Sequence, residues 1–239
     1  MRLLHWYHDI MNLYGDYANV SALKRMLEKS GESVTVDRLS PGDSVRVEDY
    51  DFIFIGSGTE RNQRVVLEDF KKHAEAFTKF VESGKPVLMT GNSFEMLGKT
   101  ITDAQGNSFD GLGMFGFTVT EQNKTRQTSD VIYECDFLTR PLVGFVNKCS
   151  SLGGVTDNLF RVRLGLSDCD GSGSEGVRKN NLFGTHLTGP VLIKNPHFLA
   201  YIAEKLLGRA PATDYLTYEN AGYEVTLSEL EKRAAEEKQ

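Results

Sequence analysis

The chain has 239 residues, 40% of them hydrophobic, and a formal net charge of -6. This is enough for one large domain and a tail, or for two small domains, and the acidic balance argues against a nucleic-acid partner, which would need a basic surface. Three cysteines, Cys135, Cys149 and Cys169, form no disulfide or metal-ligand pattern and suggest a reducing compartment.

The N-terminal Met-Arg-Leu-Leu-His-Trp-Tyr stretch is too short and polar for a signal peptide. No apolar run approaches a membrane span, so the expectation is a cytoplasmic protein with no membrane insertion. Residues 3–7 read as a first strand, followed by the loop Asn12-Leu-Tyr-Gly-Asp16. A helix is expected from about Tyr17 to Ser30, with Val20, Leu23 and Leu27 on one face and Gly31 as its stop. Residues 33–39 alternate as a second strand. The nearly all-apolar Asp51-Phe-Ile-Phe-Ile-Gly56 suits a central parallel strand covered on both faces. Val66, Phe70, Ala74, Phe77 and Val81 recur at helical spacing and predict one long helix from Asn62 to Glu82. Strand 87–89 follows, then the sharp turn Thr90-Gly91-Asn92 and a helical turn carrying Phe94 and Leu97.

This βαβαβ order predicts a parallel sheet with right-handed crossovers. Short strands are expected over 113–120, 131–137, 142–147, 159–164 and 182–187, with a polar, flexible hairpin turn at 168–174. Asn195-Pro196 reads as a capped helix start. Residues 210–221 read as a linker and 226–236 as a charged helix, so the division is a domain over 1–208 and an extension over 209–239.

The strand–turn–helix around Gly91 has the shape of a nucleophile elbow, yet its tip carries no side chain. Ser93, two residues on, lacks the second flanking glycine of that motif and reads as an ordinary helical serine. Phe54-Ile-Gly-Ser-Gly58 has Arg61 where a dinucleotide fingerprint needs its third glycine. Such a turn still exposes backbone N–H groups that suit an anion. Asp168, Asp170, Ser172 and Gly173 imitate the start of a calcium loop, but Lys179 stands where the bidentate glutamate belongs. His5, His8, His73, His186 and His197 lack metal-ligand spacing, so neither a metal nor a cofactor is expected. His186 ends an apolar strand, where a sheet's carboxyl edge can form a site or alternation can aim it into packing.

Seven stretches in register together resemble one family: Asn12–Asp16, Phe54–Gln63, the elbow ending Met96–Lys99, Gly111–Gly113, Lys124–Arg126, Val143–Asn147 and Asn181–Pro190. They are similar to the CobB/CobQ-type class I glutamine amidotransferases, in particular the small amidotransferase subunit of lipid II isoglutaminyl synthase. The resemblance covers about residues 1–208. It implies a flavodoxin-like α/β fold: a central, mostly parallel sheet with helices on both faces, extended here by a C-terminal helix. It also implies a Mur-ligase-like synthetase subunit as partner and glutamine or a related amino acid as ligand.

In such amidotransferases an elbow cysteine attacks the glutamine amide, a histidine serves as base, and the ammonia passes to the partner. The family's cysteine falls on Gly91 and its histidine on Thr188, while His186 falls on a usually aromatic position. Arg126 matches an arginine that helps hold glutamine, and Gly56, Ser57 and Gly58 match the loop of oxyanion donors. The implied reading is a frame kept without its reacting groups, a binding or scaffolding subunit. The alternatives are an enzyme rewired through Ser93, Cys149 or His186, which predicts one of the first two within hydrogen-bond reach of His186, and an amino-acid sensor built on Arg126.

Overall fold

The first third of the chain builds β1 (Arg2–Trp6), α1 (Tyr17–Lys29), β2 (Thr35–Leu39), β3 (Phe52–Ile55), α2 (Glu60–Phe70), α3 (Ala74–Glu82) and β4 (Val87–Thr90). The structure is a computed structural model that describes residues 1–122, 126–168 and 171–236. The middle adds β5 (Thr100–Thr102), β6 (Ser108–Asp110), β7 (Thr118–Glu121), β8 (Gln127–Glu134), β9 (Leu142–Lys148), β10 (Ser150–Gly153) and β11 (Asn158–Leu164). The end contains β12 (Ser174–Lys179), β13 (Leu182–Thr185), β14 (Leu187–Thr188), α4 (Val191–Lys194), α5 (Pro196–Leu207) and α6 (Thr217–Glu236).

The main sheet has ten strands in the order β14-β9-β8-β11-β12-β13-β4-β3-β1-β2. The strands from β13 to β2 run parallel, and those from β12 to β14 are antiparallel. A second sheet, β10-β7-β5-β6, packs alongside. Strand alternation divides the core. Ile53 and Ile55 of β3 join Val66, Phe70 and Phe77 of α2 and α3 on one face. Phe52 and Phe54 join Leu23 and Leu27 of α1 and Phe198 and Ile202 of α5 on the other. A strand covered on both sides has to be apolar throughout, as β3 is.

Several boundaries differ from the sequence reading. The expected single helix over 62–82 is two, α2 and α3, separated by a 3-10 turn at Lys71–His73. Apolar spacing continues across the break, so periodicity alone does not reveal it. The strand expected from Gly113 begins only at Thr118, and β5, β6, β10 and β12 were unforeseen. Asn195 precedes α5, with proline at its start, but makes no side-chain cap; its amide instead bonds the backbone of Val143 and Val191. Of the turn expected to be flexible, Asp168 is fully buried; Cys169 and Asp170 lie outside the described residues, as do Lys124 and Thr125 of the Lys124–Arg126 stretch.

The expected linker is partly helical, since α6 starts at Thr217. This helix docks on its own chain: Tyr223 and Leu230 pack against Ile132 of β8 and Val143 of β9. The Tyr223 hydroxyl donates to Pro141 O at 2.7 Å. Tyr223→Phe should therefore cost about 1 kcal/mol in urea unfolding, the worth of one hydrogen bond, with the helix still docked.

Candidate functional site

Strand register assembles the site. β13 pairs with β4 so that Thr185 lies opposite Thr90, and β4 pairs with β3 so that Met89 lies opposite Ile55. The residues that follow, His186, Gly91 and Gly56–Gly58, therefore emerge together at the carboxyl edge of adjacent parallel strands, where open α/β sheets place their ligands. Gly91, Thr188, His186, Arg126, Ser57, Gly58 and Cys149 all line one cavity there. Ser93 is not among its lining; its hydroxyl donates to Ile55 O and Thr90 O.

The elbow backbone is intact but its tip is filled. Gly91 has φ +61°, the left-handed conformation that glycine takes at little cost. A Cβ built on Gly91 would lie 2.5 Å from both Cβ and Oγ of Ser57. Ser57 is fixed in that place: its amide and hydroxyl both donate to Asp16 Oδ2, at 2.6 and 2.7 Å. Gly56 is the glycine that lets Asp16 approach, since a Cβ there would lie 2.9 Å from Asp16 Oδ2.

The amides expected to serve an oxyanion are engaged. Ser57 N–H goes to Asp16, and Gly58 N–H donates to Asn92 Oδ1 at 3.0 Å. Arg126 is engaged too. Its Nη1 donates to Glu60 Oε1 at 2.7 Å and its Nε to Asn147 Oδ1 at 2.7 Å. The cavity that remains is ≈ 20 Å³, room for about one water.

The alternative reacting groups are each engaged with other partners. Burial, reinforced by the Glu60 carboxylate accepting from Sγ at 3.0 Å, pushes the Cys149 thiol up to about 12, far from a thiolate at neutral pH. Thr188 donates its hydroxyl to Phe145 O at 3.0 Å. Ser93 donates to Ile55 O and Thr90 O and Cys149 Sγ to Glu60, while His186 Nε2 faces Glu95; these contacts do not include the bond to His186 that the rewired-enzyme expectation called for. Burial alone would lower the His186 imidazole, but Asp168, Glu175 and Glu95 outweigh it and raise its pKa to about 10. Without a bound ion it is an imidazolium near neutral pH and cannot accept a proton.

The surroundings of His186 were not foreseen from sequence. Its Nε2 lies 3.1 Å from Glu95 Oε1, and its Nδ1 lies 3.5 Å from Asp168 Oδ1 and 3.3 Å from Glu175 Oε1. Glu95 also accepts from Gln63 at 2.8 Å and from the Ser150 hydroxyl. These residues come from separate elements, so no local spacing betrays them.

Asp16 carries a measurable consequence. Burial pushes its carboxyl from an ordinary 3.8 to about 7, against the two Ser57 bonds that favour the ionised form. Between those values the folded chain holds a proton that the unfolded chain has released, so this group lowers stability as pH rises. His5 and His197, both depressed to about 4 by burial, act oppositely across an overlapping range. The difference between Asp16→Asn and wild type isolates the carboxylate. Urea unfolding at about pH 4.5 and about pH 7.5 should show the variant gaining on wild type at the higher pH.

Residues 2–196 match the model of the CobB/CobQ-like glutamine amidotransferase domain. The chain belongs to that family. It is 30% identical over 209 residues to the lipid II isoglutaminyl synthase (glutamine-hydrolyzing) subunit GatD of Staphylococcus aureus, covering 87% of this chain and 85% of that protein. The same subunit of Streptococcus pneumoniae is 30% identical over 203 residues, covering 84% of this chain and 78% of the relative. Among solved structures, PurLQS from Thermotoga maritima aligns with a TM-score of 0.56 at 14% identity, over 87% of this chain and 95% of that one. A crystal structure of a glutamine amidotransferase gives 0.55 at 16% identity, over 85% and 98%. At these identities the two structures support the fold alone, and the amidotransferase fold is the one expected from sequence. Among the described residues no helix is long and apolar enough to cross a membrane.

Proposed function

We propose that this amidotransferase-family chain is a non-hydrolysing subunit that serves an amide-forming synthetase by binding or scaffolding. The observation that carries the reading is the filled elbow: Gly91 stands at the nucleophile's place, and Ser57 occupies the space its side chain would need. A glutaminase of this kind needs a thiolate to form a thioester and a base to activate it, and neither is offered here. The curated relatives are named as subunits of lipid II isoglutaminyl synthase. The partner we propose is accordingly a Mur-ligase-like synthetase, with the C-terminal helix (209–239 including its lead-in) as an appendage to the amidotransferase-like domain over 1–208. An amino-acid sensor is disfavoured by the Arg126–Glu60 pair, because the guanidinium is already neutralised. The test is glutamate release from glutamine by the purified chain, alone and with the synthetase. No turnover above the uncatalysed rate is expected, and robust release in either mixture would overturn the reading.

A further inference from the structure

Three buried side chains on different elements converge beside the cavity: Asp168 ahead of β12, Glu175 within β12 and His186 between β13 and β14. One ligand atom from each lies within 4.8 Å of the others. Nδ1 of His186 stands 3.3 Å from Glu175 Oε1 and 3.5 Å from Asp168 Oδ1. Two donors bound to one tetrahedral Zn2+ at about 2.0–2.1 Å are separated by about 3.4 Å, so this spacing is that of ligands sharing an ion.

Asp168 Oδ2 is buried without a hydrogen-bond partner, and His186 Nδ1 meets the carboxylates of Glu175 and Asp168 at 3.3 and 3.5 Å without hydrogen-bond geometry. A buried polar atom left so requires a cause, and an ion is one of the few available. The remaining contacts hold the donors in place. His186 Nε2 faces Glu95 Oε1 at 3.1 Å, the carboxylate that orients a ligating imidazole from behind. Glu175 Oε2 accepts from the Thr185 hydroxyl at 2.7 Å, and Asp168 Oδ1 accepts from Gly176 N–H at 3.2 Å.

Charge points the same way. Lys148 Nζ is buried beside the cluster, donating to Asp168 O at 2.9 Å. With a neutral imidazole, a divalent ion and Lys148 together cancel the formal charges of Glu95, Asp168 and Glu175.

We infer that Asp168, Glu175 and His186 form a binding site for a divalent ion of the Zn2+ class, which ties the β13–β14 break to β12 behind the filled elbow. The site is independent of glutamine chemistry and of the synthetase partner. The mixed nitrogen and oxygen donors suit Zn2+ or Co2+ better than an all-oxygen cation such as Mg2+.

The experiment uses the full chain, stripped with chelator and then given Zn2+ or Co2+ alone, followed by dialysis. Elemental analysis should find about one retained ion per chain, with a raised Tm, and Co2+ should give a visible ligand-field spectrum. The isosteric variants Asp168→Asn and Glu175→Gln, checked for folding by circular dichroism, should retain at least tenfold less ion. His186→Gln should lose the nitrogen contribution to the Co2+ spectrum. Wild-type protein that retains no ion and shows no Tm change overturns the site. Undiminished retention in the folded variants overturns it equally.

Discussion

Gly91→Cys is expected to yield no glutaminase and to destabilise the chain by about 3 kcal/mol. A non-glycine residue in the left-handed region costs about 1–2 kcal/mol, and forcing an atom into a filled core adds about 1–3 kcal/mol. Both apply, because Gly91 has φ +61° and its Cβ would approach Ser57 to 2.5 Å. Ser57 cannot easily yield, since Asp16 holds its amide and its hydroxyl. Adding Thr188→His supplies an imidazole but does not free the amides of Ser57 and Gly58 from Asp16 and Asn92. The double variant Ser57→Gly/Gly91→Cys should recover the packing part of the loss and leave the backbone part. Urea unfolding measures the destabilisation and glutamate release the missing activity. Turnover by the single Gly91→Cys variant would show that the elbow is merely missing its sulfur, whereas the structure has it closed.

Why some of this was readable in sequence and some was not follows from how far each interaction reaches along the chain. The strand–turn–helix at residues 87–97 is local: an apolar run, a glycine and a helical turn sit side by side. The both-face burial of β3 is local too, because a strand sandwiched between helix layers has no polar position to spare. The split between α2 and α3 was hidden because Val66, Phe70, Ala74 and Phe77 keep helical spacing through the 3-10 turn. The start of α6 was hidden for the opposite reason: its first turns expose Tyr218 at 88% and carry no apolar stripe. Matching motifs in register pointed to Gly91 and Thr188, and both line the cavity. That Ser57 fills the elbow, that Glu60 holds Arg126 and that Glu95 meets His186 depends on loops brought together across the sheet edge. No spacing rule connects such residues.

The network around His186 should dominate the stability of the metal-free chain. His186→Leu is expected to cost about 3–5 kcal/mol, the usual loss when one member of a buried charged set is removed and its partners are left facing apolar surroundings. His186 is 1% exposed and packs edge-on against Phe94 with ring centroids 4.6 Å apart, so leucine can occupy much of its space. The loss would therefore report electrostatics more than a cavity. Glu95, Asp168 and Glu175 are at most 2% exposed and would confront each other with no imidazolium between them and Lys148 alongside. Glu95→Gln keeps the bond-accepting oxygen and removes one charge, so it should soften the defect: the double variant Glu95→Gln/His186→Leu should be more stable than the two single losses predict when added. The coupling expected for residues in direct contact is about 0.5–3 kcal/mol. Urea unfolding of the four proteins in chelator closes the cycle. A His186→Leu variant within about 1 kcal/mol of wild type would mean that the carboxylates do not depend on the imidazolium. In that case the charges at the back of the elbow would be neutralised by protons on the acids, and the ion-pair description of this site would have to be abandoned.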